Sequence, residues 1–90
     1  RLIPMWYVYI LLCSDKSFYT GITDNLDQRF KDHLSGKGAK YTRSHKPEKI
    51  VYTESFPTRS QALSRESEIK SWSRERKISA LKLVLTFGTG

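Results

Sequence analysis

The longest apolar run in the chain, Trp6 to Leu12 (WYVYILL), mixes β-branched, aromatic and aliphatic residues with almost nothing polar between them. A strand with one wet face alternates apolar and polar residues. This run does not, so it reads as a central strand covered on both faces. A polar turn, Ser14 to Ser17, separates it from Phe18–Ile22, and two β-rich runs joined by so short a connection form an antiparallel hairpin. The period then changes. Leu26, Phe30 and Leu34 recur every four residues as the stripe of an amphipathic helix, with Thr23 and Asp24 offering N-cap side chains and Gly36 marking its end. Residues 36–47 (GKGAKYTRSHKP) hold two glycines, several Lys and Arg and no aliphatic run, which reads as a basic surface loop.

Lys49 to Phe56 is β-rich and stops at Pro57, giving a third strand. Thr58-Arg59-Ser60-Gln61 matches a capping box, and the helix it opens puts Ala62, Leu63, Glu66, Ile69 and Lys70 on one face with Trp72 near its end. Ser73 caps a third helix carrying Ile78, Leu81 and Val84. The expected fold is α+β, a small antiparallel three-stranded sheet flanked by helices in the order β-β-α-β-α-α. A single domain spans 5–85, with residues 1–4 an unpaired start and 86–90 a frayed tail.

Composition narrows the choice of function. The chain has 90 residues, enough for one compact core. Sixteen Lys and Arg against nine Asp and Glu leave a net charge of +7, which concentrates polyanions at the surface and makes nucleic acid the leading partner. The longest apolar stretch is too short to span a bilayer, and no basic helix with an aromatic face suggests membrane binding. One cysteine, Cys13, rules out an intrachain disulfide and a cysteine-based zinc cage, and the expected compartment is a reducing cytoplasm.

Three groups of residues carry candidate chemistry. Glu66 sits beside the apolar stripe of its helix, where a carboxylate needs either a cation such as Arg29 or a cleft in which to hold a metal. Arg29 and His33, spaced i to i+4, share a face. Arg suits a phosphate and His suits proton transfer near neutral pH, although such a pair also serves as plain solvated surface. Tyr7, Tyr9 and Tyr19 crowd the hairpin, where tyrosines usually pack. Taken together these are the parts for metal-assisted phosphodiester cleavage. The acidic residues do not cluster, so a single ion is favoured over a pair; Mg²⁺ can be held by one carboxylate plus water and phosphate oxygens.

In this order, Tyr7-Val8-Tyr9, Tyr19-Thr20-Gly21, Arg29, His33 and Glu66 resemble the signature of the GIY-YIG nuclease superfamily, with YVY standing for GIY and YTG for YIG. The stretches SGKGAKYT (Ser35–Thr42) and FPTRSQALSRESEIK (Phe56–Lys70) resemble its small, single-domain bacterial branch, and the likeness runs from Trp6 to Leu81. The resemblance implies an endonuclease acting on DNA in repair or recombination. Tyr9 would be general base or water-orienting partner, and Tyr19 would line the pocket. Arg29 would stabilise phosphate charge, His33 would assist proton transfer, and Glu66 would bind Mg²⁺, for which Mn²⁺ can substitute. Two positions depart from the pattern: Tyr7 replaces the first glycine, and Ile22 stands where the excision-repair nuclease has lysine.

A nucleic-acid track is expected along Lys37, Lys40, Arg43, Lys46 and Lys49, with Tyr41 as a stacking residue; the alternative is that these groups are merely solvated. Substrate choice would come from this surface or from a protein partner that targets a monomeric enzyme. Two other readings compete with the enzyme. One is a non-catalytic nucleic-acid-binding module of the same fold, and the other an interaction protein docking through the apolar strip Val84–Phe87.

Overall fold

The computed structural model describes residues 5–83. The expectations for residues 1–4, for Val84 on the last helix, for the Val84–Phe87 strip and for the tail at 86–90 lie outside the described residues. In chain order the elements are β1 (Trp6–Cys13), β2 (Phe18–Thr23), α1 (Leu26–Leu34), α2 (Lys40–Ser44), β3 (Pro47–Phe56), α3 (Arg59–Lys70) and α4 (Arg74–Leu81).

Strand β1 pairs antiparallel with both neighbours, giving the sheet order β2-β1-β3. Its unbroken apolar run is explained by this central position: Val8, Ile10, Leu11 and Leu12 are fully buried. Successive residues serve different layers. Val8 and Ile10 join Ala62, Ile69 and Leu83 in the main core, with Trp6, Phe18, Tyr52, Phe56 and Trp72 packed around it. Tyr9 and Leu11 instead meet Leu26, Arg29, Phe30 and Ile50. Each aliphatic side chain so enclosed stabilises the fold by about 1.5–3 kcal/mol. Among the described residues no helix is long and apolar enough to cross a membrane.

The expected α+β architecture and element order hold, with one short helix added. Helix α2 occupies Lys40–Ser44, inside the segment read as a loop. It lacks an apolar stripe and is held instead by its own polar contacts: the Ala39 N–H donates to Thr42 Oγ1 at 3.3 Å, and Tyr41 stacks on His45 with ring centroids 4.1 Å apart. Strand β3 begins two residues early, because Pro47 pairs with Cys13 at the edge of the sheet, where a missing N–H costs no ladder bond. The N-cap of α1 is Asn25, whose Oδ1 accepts from the Gln28 N–H at 3.1 Å. Thr23 cannot serve as the cap because it is still paired in β2, opposite Tyr7. Thr58 and Ser73 cap α3 and α4 as expected, accepting from the Gln61 and Arg76 N–H groups.

The apolar stripes are less deeply buried than their spacing suggests. Leu34 is 50% exposed and Leu63 37%, whereas the one buried residue of α1 is His33. At the C-terminus of α1 the Lys37 N–H donates to the Asp32 carbonyl at 2.8 Å and the Gly36 N–H to the His33 carbonyl at 3.2 Å. This paired cap needs a left-handed residue, and Gly36 supplies it at φ +84°. The chain is thereby turned back across the face that carries His33.

Candidate active site

The pairing of β1 with β2 sets Tyr9 opposite Gly21. A Cβ at Gly21 would lie 2.7 Å from the Tyr9 hydroxyl, so the absence of a side chain there gives the phenol its space. Tyr19 shares this face, its ring centroid 6.2 Å from that of Tyr9. From α1, the i to i+4 spacing delivers Arg29 and His33 to the same place. Tyr9 Oη and His33 Nε2 are 2.8 Å apart, and the two side chains are almost wholly enclosed. The other ring nitrogen, Nδ1, lies 2.7 Å from Thr42 Oγ1, and the edge of the ring meets Tyr19 at 5.1 Å between centroids.

This enclosure sets the protonation states. Burial pushes the Tyr9 phenol up to about 12, against the pull of the adjacent Arg29 guanidinium. Burial, and next the positive charge of Arg29, hold His33 below its ordinary value, with Asp32 opposing weakly. At neutral pH the pair is therefore a neutral phenol against a neutral imidazole. The Tyr9 hydroxyl in turn raises the Arg29 pKa, so the guanidinium stays charged. Its Nη2 reaches the Gly38 carbonyl at 3.4 Å, but Nε is buried without a hydrogen-bond partner. A buried donor left without a partner is costly in a resting protein.

Glu66 reaches the same centre electrostatically, since its negative charge adds to the raising of the Tyr9 phenol. Helix α3 packs across β1 and β2 with Ala62 and Ile69 inward. Arg65 turns towards Glu54 on β3 at 3.0 Å and also binds Glu68 at 2.8 Å, which leaves Glu66 with a different partner. That partner is Lys70 rather than Arg29, with Nζ 3.2 Å from the carboxylate. The Glu66 side chain is only 17% exposed while that of Lys70 is 54% exposed, so the cation can swing into water and free the carboxylate.

Tyr9, Tyr19, Arg29 and His33 thus converge, with Glu66 at their margin. The basic residues divide. Lys37, Lys40 and Arg43 border one concave surface together with Gly36 and Gly38. Arg43 and Lys46 border the adjoining one, which extends to His33 and Thr42. Lys49 lies on β3, paired with Leu12 and apart from these. Tyr41 faces Tyr19, with centroids 6.0 Å apart, as well as His45. The sequence reading assigned no role to Thr42, Gly38 or Lys70. A Cβ on Gly38 would fall 2.3 Å from His33 Nδ1, so the turned-back loop lies directly against the ring. Only Lys70 left a local signal, its i to i+4 spacing from Glu66; the contacts of Thr42 and Gly38 depend on how the loop folds back.

A hairpin presenting two tyrosines, a helix presenting Arg and His, and a later helix presenting one Glu make up the candidate site. The chain belongs to the GIY-YIG family, whose catalytic-domain model matches residues 5–79. That family is in general one of nucleases acting on nucleic acid, and its members generally use divalent metal ions. Within it, the chain is similar to small UPF0213 proteins. It is 56% identical to one from Haloquadratum walsbyi over 71 residues, covering 79% of this chain and 80% of that one. It is 47% identical to another from Staphylococcus haemolyticus over 76 residues, covering 84% and 93%. The solution NMR structure of a UPF0213 protein from Bacillus halodurans superposes with a TM-score of 0.57 at 47% identity, covering 87% of this chain and 83% of that one. A second NMR structure, of a protein from E. faecalis, gives a TM-score of 0.62 at 42% identity with the same coverage.

Proposed function

We propose that this protein is a metal-dependent endonuclease that hydrolyses phosphodiester bonds in DNA, in repair or recombination. The observation that carries this reading is the buried Tyr9–His33 contact at 2.8 Å, with a charged guanidinium beside it and a carboxylate in electrostatic reach.

A phenol held near 12 is a poor base by itself, because it cannot ionise at neutral pH. It becomes competent when its own proton has somewhere to go. As water attacks phosphorus, Tyr9 Oη takes the water proton while passing its hydrogen to His33 Nε2. No phenolate forms, and the positive charge appears on the imidazole. That charge is disfavoured by burial and by Arg29, so after the bond breaks His33 gives its proton back to Tyr9 Oη as that oxygen releases the water-derived proton to solvent, from which the leaving oxygen is protonated. Arg29, kept charged beside Tyr9, meets the charge that builds on the non-bridging phosphate oxygens. Tyr19, on the same face, confines the phosphate beside Tyr9.

The donor set fits one hard divalent ion. Among the described residues no group of three or more His, Cys, Asp or Glu converges, so Glu66 would be the single protein ligand and water and phosphate would complete the shell, as suits Mg²⁺. Such an ion supplies Lewis-acid polarisation of the phosphate and charge stabilisation at the leaving oxygen. The enzyme acts as a monomer, with Lys37, Lys40, Arg43 and Lys46 as its DNA-facing cations.

The test is cleavage of labelled single-stranded, duplex, flapped and branched DNA with Mg²⁺ or Mn²⁺. The parent is expected to cut at least one. Arg29→Ala should lose on the order of 10²–10³ in kcat, the usual cost of removing one transition-state donor. Glu66→Ala should abolish metal-dependent cutting while leaving the fold intact. Cutting by Glu66→Ala at the parental rate would refute the assignment. Binding without cutting by the parent would make the chain a nucleic-acid-binding module.

A further inference from the structure

The proton path above requires a lone pair on His33 Nε2, and the 2.8 Å contact with Tyr9 is compatible with either direction of donation. The choice is made on the far side of the ring. His33 Nδ1 lies 2.7 Å from Thr42 Oγ1, and both groups are buried. A threonine hydroxyl has one hydrogen to give. Thr42 Oγ1 is 3.0 Å from the Ala39 carbonyl, which can only accept, and it receives the Ala39 N–H at 3.3 Å. With its hydrogen committed to that carbonyl, the Thr42 oxygen can only accept from the imidazole. Nδ1 then carries the ring hydrogen, Nε2 is bare, and Tyr9 must donate. The opposite tautomer would take the Thr42 hydrogen from the part-buried Ala39 carbonyl. It would also leave the Tyr9 hydrogen needing a new acceptor beside Arg29, which offers only donors.

We propose that Thr42 is a positioning residue that holds His33 in the Nδ1–H tautomer and so makes Nε2 the proton acceptor for Tyr9. This deepens the nuclease reading and rests on it for its catalytic meaning. Gly38 completes the arrangement, because its bare backbone against the ring keeps the imidazole from turning away from Thr42. Thr42 sits between Lys40 and Arg43 on α2, so the segment expected to meet phosphates also sets the tautomer of the proton acceptor.

Long-range ¹H–¹⁵N correlation of the His33 ring in the intact protein reports which nitrogen bears hydrogen, independently of any cleavage. The parent is expected to carry it on Nδ1. Thr42→Val, its fold checked by the amide spectrum, should move hydrogen to Nε2 or mix the two forms. It should also lower kcat by on the order of ten- to a hundred-fold, the usual cost of losing the group that orients a working histidine, with KM unchanged. Thr42→Ser keeps the hydroxyl and should restore both. A parent ring protonated on Nε2 overturns the proposal whether or not the variants fold, as does an unchanged tautomer in a folded Thr42→Val. An Nδ1–H parent that cuts no DNA would support the tautomer assignment and refute the nuclease reading, so the two fail separately.

Discussion

At His33 the enclosure that tunes the chemistry also links stability to pH. Its folded pKa lies below its ordinary 6.5, owing to burial and then to Arg29, so the unfolded chain takes up a proton more readily than the folded one. The stabilising contribution is therefore complete above about pH 6.5 and is lost as pH falls from there through the folded pKa. Activity should follow the same limb, because only neutral imidazole can accept from Tyr9. The expected rate is flat around neutrality and falls on acidification, with a midpoint below that of a free histidine; a midpoint above 6.5 would contradict the assigned environment. Tyr9 acts at the other extreme. Its pKa, raised to about 12, leaves the phenol protonated across the working range, and its contribution to stability is complete below about 10 and lost as pH rises through the raised value.

Two glycines close together in the chain separate backbone geometry from steric fit. Gly36 sits at φ +84°, and a Cβ there would meet nothing closer than Arg43 Cγ at 3.8 Å. Gly36→Ala should therefore cost about 1–2 kcal/mol of stability through the left-handed conformation alone, and leave cleavage nearly unchanged. At Gly38 a Cβ would overlap the His33 ring, so Gly38→Ala should cost about 1–3 kcal/mol and also reduce kcat by displacing the imidazole. Chemical denaturation beside cleavage assays distinguishes the two; equal loss of kcat in both variants would contradict the contrast.

The same segment marks the limit of sequence reading. Strand β1, the hairpin and the caps of α3 and α4 rest on local patterns and were legible. Helix α2 was not, because its apolar content is slight and it is held by Thr42, Tyr41 and His45. The candidate site divides in the same way. Tyr9, Tyr19, Arg29, His33 and Glu66 form an ordered motif, whereas Thr42 acts through a loop that must first fold back, and nothing in its spacing gives that away.

For the molecule as a whole, the net charge of +7 is unevenly used. Arg65 and Lys70 are tied to carboxylates, while Lys37, Lys40 and Arg43 gather on one concave surface. If these three contact phosphates, the logarithm of DNA affinity should fall with the logarithm of salt with a slope of about −2 to −3 from them alone. Replacing all three with Gln should flatten the slope by that amount without altering the site around Tyr9. An unchanged slope would place the track elsewhere. Arg74 is used in another way: it lies over the Phe18 ring at 4.6 Å and donates to the Lys16 carbonyl, clasping the tip of the hairpin from α4.

The end of β1 has a practical consequence. Cys13 is the chain's single thiol and is completely enclosed, and burial pushes its pKa up, so in the native molecule it is both unreachable and un-ionised. It pairs with Pro47 at the last rung of the ladder. A thiol-specific reagent can therefore modify the protein only after the enclosure around this end of β1 has opened. The rate of that modification, followed against denaturant, is a built-in clock for the opening of this end of the strand and needs no added label.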